Sequence, residues 1–161
     1  MNFLIVDDSA PNRKICARVL TRQGHTVAEA VDGDDCLRVV ESAEAAGRHF
    51  DIILMDDNMP NLSGPQTSKI LRECGYTGMI CGVTGNTLPQ DVENFMRHGA
   101  SVVLPKPLDL TELQRQIPLF LGSPQPQPQS QPNVAAPAPE ASGLNIGIGI
   151  GTDAVATPTQ R

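Results

Sequence analysis

Five short apolar runs alternate with five longer segments in which apolar residues recur every three or four positions. The runs cover residues 3–6, 25–28, 52–55, 79–83 and 102–104; the segments cover 12–22, 34–46, 64–73, 89–97 and 110–119. Ile15, Val19 and Leu20 carry the helical period in the first segment, as do Leu37, Val40 and residues 43–45 in the second. The runs do not alternate with polar residues: Ile52, Ile53, Leu54 and Met55 follow one another directly, as expected of strands covered on both faces. Gly24 and Gly99 stand just past helical segments, where the chain needs positive φ. Ser9, Ser63 and Asp109 occupy N-cap positions, and Pro89 suits a first helical turn. Strands alternating with helices predict βαβ crossovers. The fold class is therefore α/β, a doubly wound, mostly parallel sheet of five strands with five helices; the flavodoxin-like form of such a sheet has the order 2-1-3-4-5. In such sheets ligands bind beyond the carboxyl ends of the strands.

Composition divides the chain. Residues 1–121 read as one domain, and residues 122–161 as a disordered tail rich in Pro, Gln, Ala and Gly that holds seven of the 14 prolines. The net charge is −6, so a broad basic surface for nucleic acid is not expected. The four cysteines form no C-x-x-C pair and lie among apolar neighbours, which predicts buried thiols in a reducing compartment. Asp7 and Asp8 cut the first apolar run far short of a signal peptide or membrane span, so the chain reads as cytoplasmic, without membrane contact of its own.

The predicted strand ends carry the chemistry. The first ends in Asp7 and Asp8, the third in Asp56 and Asp57, the fourth in Thr84 and Gly85, and the fifth in Pro105, Lys106 and Pro107. Order 2-1-3-4-5 makes strands one and three neighbours, which brings Asp7, Asp8 and Asp56 into one crevice. Three close carboxylates raise one another's pKa unless a cation compensates, and Mg²⁺ suits such oxygen donors. Lys106 adds a positive charge, Thr84 a hydroxyl, and Gly85 open space. Together they form an electrostatic clamp for a transferring phosphoryl group. Taken singly, each has a plainer reading as a loop, cap or turn residue; their joint order favours the clamp.

These residues resemble the receiver domain of two-component response regulators, over about residues 2–120. The matching stretches are IVDDSAPNRK, DIILMDDNMPNLSG, VTGN and GASVVLPKP. The resemblance implies that Asp56 is the phosphoacceptor, with Mg²⁺ held by Asp7, Asp8, Asp56 and the backbone carbonyl of Asn58. Thr84 would hydrogen-bond the phosphoryl group, Lys106 would pair with it, and the Lys106–Pro107 bond would be cis. The implied partner is a histidine kinase or histidine phosphotransfer protein, docking on residues 11–22; the protein would be a monomer, and a phosphoacceptor that assists its own phosphorylation and dephosphorylation, not a stand-alone enzyme. Asp57 is the rival acceptor, but Asp56 lies three residues before the Met of Met-Pro, and adjacent strand residues point to opposite sides.

The chain departs from the family pattern at Val103, where Tyr or Phe is usual; the single tyrosine, Tyr76, sits in a predicted loop. The text looks closest to hybrid histidine kinase receivers, which implies a relay, a phosphate sink or a single-domain regulator. A degenerate receiver acting as a scaffold is the alternative, although a scaffold has no need of all five site residues. A haloacid-dehalogenase phosphatase would need an acid at position 58, where Asn58 stands. A flavodoxin proper would need aromatic flavin walls, and the chain has one Tyr, four Phe and no Trp.

Overall fold

The computed structural model describes residues 1–123; the predicted tail lies outside the described residues, apart from its first two positions. The elements follow the order β1 (Asn2–Val6), α1 (Ala10–Arg22), β2 (Thr26–Ala30), α2 (Gly33–Ala45), β3 (Ile52–Asp56), α3 (Gly64–Glu73), β4 (Met79–Thr84), α4 (Pro89–Arg97), β5 (Val102–Pro105) and α5 (Leu110–Leu121). The five strands form one parallel sheet in the order β2-β1-β3-β4-β5, as the sequence predicts.

Side chains on successive strand residues point to opposite faces, and each face has its own core. Leu4, Val6, Ile53, Met55 and Ile80 pack with Val40, Leu71 and Phe95 from α2, α3 and α4. Phe3, Ile5, Ile52, Leu54 and Cys81 pack with Leu20 and Leu113 from α1 and α5. This division explains the continuous apolar runs, since β1, β3 and β4 are covered on both sides. β2, at the edge, begins one residue after His25, whose ring lies 4.9 Å from that of Phe3.

Caps set the helix starts. Ser63 and Gln66 form a capping box on α3, Asp109 accepts from the Thr111 and Glu112 amides of α5, and Asp32 accepts from Asp35 on α2. Ser9 holds the N-cap position of α1, but its side chain makes no cap bond. Gly24 and Gly99 leave α1 and α4 at φ 85° and 100°. A Cβ on Gly82 would lie 2.7 Å from Phe95 Cε1, so the missing side chain lets α4 settle onto β4.

Candidate functional site

The carboxyl ends of β1, β3, β4 and β5 converge. Asp7 immediately follows β1 and is buried; Asp8 beside it is exposed. Asp56 ends β3 and is 4% exposed. Lys106 follows β5, held there by its amide, which donates to the Thr84 carbonyl at 2.7 Å. Its Nζ reaches back to Asp56 Oδ1 at 2.7 Å and Asp7 Oδ2 at 3.5 Å. The Lys106–Pro107 bond is cis.

Charge at the centre is unevenly balanced. Burial pushes the Asp56 carboxyl up from its ordinary value; the hydrogen bond and charge of Lys106 oppose this, Asp7 adds to it, and the Asn58 amide lowers it. Burial alone would lower Lys106, yet the bond to Asp56 and the charges of Asp56 and Asp7 raise it on balance. The lysine is 32% exposed and keeps more of its hydration than the nearly buried Asp56 does.

The sequence reading missed Asn12 and Arg13, which organise Asp7. Asn12 Nδ2 donates to both Asp7 oxygens, at 3.3 and 3.2 Å, and the Ser9 amide donates to Oδ1 at 2.8 Å. Arg13 donates to the Asp7 carbonyl at 2.7 Å and pairs with Glu29 at 3.1 Å. The available signal was position: Asn12 is the third residue of α1, and a first-turn side chain leans back toward the helix start.

Thr84 is 2% exposed, and its hydroxyl bonds to Asp57 and Asn86 rather than to Asp56. The hydroxyl donates to Asp57 Oδ2 at 2.9 Å, lies 3.1 Å from the Asn86 carbonyl, and accepts from the Asn86 amide at 3.0 Å. Asn58 is exposed beside the cluster, and a Cβ on Gly85 would meet nothing within 4 Å. Val103 is half-buried against the α2–α4 core, while the Tyr76 hydroxyl donates to the Phe50 carbonyl, away from these strand ends.

Ligand oxygens of Asp7, Asp8 and Asp56 lie within 4.8 Å of one another. Three hard oxygen donors against one lysine leave a net negative pocket, and exposed Asp8 leaves room for water. This donor set fits a hard divalent cation that retains part of its hydration. A cavity of about 500 Å³ opens beside it, lined by Asp7, Asn12, Ile15, Cys16, Asp56 and Lys106 among others. Among the described residues, no helix is long and apolar enough to cross a membrane; all four cysteines are free, but only Cys36 and Cys81 are buried as expected, Cys16 being half-buried and Cys74, at the end of α3, exposed.

The family model for the response regulator receiver domain matches residues 3–118. The sensor histidine kinase RcsC of Escherichia coli strain K12 is 33% identical over 120 residues, 74% of this chain but 12% of that protein. Transcription factor SKN7 of Saccharomyces cerevisiae is 31% identical over 112 residues, 70% of this chain and 17% of that protein. The chain thus spans about an eighth of the length of the RcsC relative that it matches. Among solved structures, the chemotaxis protein CheY4 of Vibrio cholerae is 29% identical with a TM-score of 0.64, covering 74% of this chain and 97% of its own. The Francisella response regulator 1452 receiver domain shares the fold at a TM-score of 0.66 and 21% identity, covering 74% of this chain and 94% of its own. Receiver domains generally bind Mg²⁺ in an acidic pocket, and those of hybrid kinases work with histidine kinase or phosphotransfer partners. With its five-stranded parallel sheet and the acidic cluster at its strand ends, the chain belongs to the response regulator receiver domain family, the phosphoacceptor module of two-component phosphorelays.

Proposed function

We propose that Asp56 takes a phosphoryl group from a phosphohistidine of a histidine kinase or histidine phosphotransfer protein. The observation that carries this reading is the Lys106 ammonium 2.7 Å from a nearly buried Asp56 carboxylate, inside a cluster of three acidic residues. In the transfer, the P–N bond to the donor imidazole breaks and a P–O bond to a carboxylate oxygen of Asp56 forms, giving an acyl phosphate. Burial makes the charged carboxylate costly, and therefore a weakly hydrated nucleophile. Lys106 offsets the charge arriving with the phosphoryl group.

Asp7, Asp8, Asp56 and the Asn58 backbone carbonyl would hold Mg²⁺. When bound, it supplies further neutralisation of the carboxylate and phosphoryl charge. Asn12 and the Ser9 amide fix the Asp7 carboxylate for that role. The donor protein would dock over α1, where Ile15 is 64% exposed on the rim of the cavity that reaches Asp56.

In this reading residues 1–121 are a monomeric, cytoplasmic phosphoacceptor unit and residues 122–161 an appended segment. The unit acts as a relay, a sink or a single-domain regulator. Its likeness to a stretch of a sensor histidine kinase supports the relay role. Incubation with Mg²⁺ and acetyl phosphate, followed by intact mass measurement, tests the site. One phosphoryl group adds to the wild type and none to Asp56→Asn. Uptake by Asp56→Asn would refute the acceptor assignment; no uptake by the wild type would favour a scaffold.

A further inference from the structure

We propose that Asp57 is a positioning residue for phosphoryl transfer: its carboxylate holds the Thr84 hydroxyl and competes with the phosphoryl group on Asp56 for that hydroxyl's one proton. The inference rests on the phosphoacceptor reading of Asp56.

The β3–β4 register creates the contact. Asp56 pairs with Val83, so the next residue on each strand, Asp57 and Thr84, come side by side. The ladder continues through this step, because the Asp57 amide donates to the Val83 carbonyl at 3.1 Å. Thr84 Oγ1 then lies 2.9 Å from Asp57 Oδ2.

A hydroxyl carries one proton and can donate it to one strong acceptor at a time. Two acceptors lie in range, Asp57 Oδ2 at 2.9 Å and the Asn86 carbonyl at 3.1 Å. The carboxylate is the stronger of the two, because a hydrogen bond to an ionised acceptor is about twice as strong as a neutral one. The hydroxyl's lone pair is also engaged, by the Asn86 amide at 3.0 Å. Thr84 is nearly fully buried, so little water can replace these partners. To donate to a phosphoryl oxygen on Asp56, the hydroxyl must therefore release Asp57.

Asp57 thus favours the unphosphorylated arrangement and weakens the hold on the phosphoryl group. Asp57→Ala removes the competitor; Asp57→Asn keeps a weaker, neutral acceptor. The same residue also adds negative charge near the site, which would repel a phosphoryl group without involving Thr84. The two effects separate in a Thr84→Ala background, where only simple repulsion survives.

The test uses the full chain with Mg²⁺ and beryllium trifluoride, a phosphoryl mimic, with affinities read by ¹⁹F NMR. Melting curves on every variant check the fold. Asp57→Ala should bind about tenfold more tightly than the wild type, the scale of one charge-assisted hydrogen bond, and Asp57→Asn less so. In Thr84→Ala the added Asp57→Ala change should shift affinity by less than about twofold. Equal tightening in both backgrounds, or none in either, overturns the proposal. A second readout needs no ligand: the Thr84 γ-methyl resonance of the metal-free protein should move in Asp57→Ala. An unmoved resonance overturns the proposal too. Should the wild type take up no beryllium trifluoride, the phosphoacceptor reading fails, and the methyl resonance still decides whether Asp57 holds Thr84.

Discussion

Replacing Lys106 with alanine removes the cation that lies 2.7 Å from Asp56 Oδ1 and 3.5 Å from Asp7 Oδ2. No other ion pair to Asp56 occurs among the described residues. At 2.7 Å the bare attraction is about 6 kcal/mol for an effective dielectric of about 20, and about 1.5 kcal/mol in bulk water. Lost hydration of Asp56 offsets much of it, so the net resting-state effect falls nearer the ~1.5–3 kcal/mol of a charge-assisted hydrogen bond. The demand is greater during transfer, because the phosphoryl group brings further negative charge to the same spot. Loss of one preorganised donor at developing charge typically slows a reaction about 10²–10³-fold. The initial rate of Asp56 phosphorylation by acetyl phosphate, at saturating Mg²⁺, should fall by that factor in Lys106→Ala. Intact mass measures the rate, and a melting curve confirms that the variant folds. A rate within about threefold of the wild type, with the fold intact, would refute the clamp, since it corresponds to less than one hydrogen bond.

Asn12→Ala should weaken Mg²⁺ binding about 10–100-fold by freeing the Asp7 carboxylate, as loss of an outer hydrogen bond does in other metal sites; calorimetric titration showing an unchanged Kd would contradict this. Phe95→Ala should cost about 3–5 kcal/mol in urea unfolding, because the ring fills the space between Gly64, Gly82 and the sheet and is 1% exposed; a loss under about 1 kcal/mol would show that the cavity collapses. In metal-free protein, burial raises Asp56 above its ordinary 3.8, so the folded state binds its proton more tightly than the unfolded chain does. Its contribution is complete below pH 3.8 and lost as pH rises through the folded pKa, so Asp56→Asn should flatten the decline in stability that begins near pH 3.8. Urea midpoints measured across that range would show identical slopes for both proteins if the reasoning fails.

Much of the fold was written in local pattern. Apolar runs too dense to alternate required a sheet covered on both faces, and helical spacing between them required crossovers. Gly24 and Gly99 marked helix ends because positive φ is a property of the residue itself. Ser63 and Asp109 marked helix starts because a cap reaches only two or three residues ahead. Ser9 fitted the same pattern yet makes no side-chain cap; its amide instead donates to the Asp7 carboxylate, a contact within the β1–α1 connection that local pattern does not show.

The sequence by itself determined which residues stand at the strand ends and, from their chemistry, that Asp7, Asp8, Asp56 and Lys106 belong to one charged crevice. The tertiary structure decided how those groups divide their bonds. Asn12 reaches Asp7 only because α1 starts where it does, and Lys106 spans two carboxylates only because its amide is anchored on Thr84. Asp57, a rival acceptor in the sequence, became the partner of Thr84 through the β3–β4 register. Residue type fixes what a group can donate or accept, but a hydroxyl has one proton, and which acceptor takes it depends on distances set by strand pairing between segments 27 residues apart.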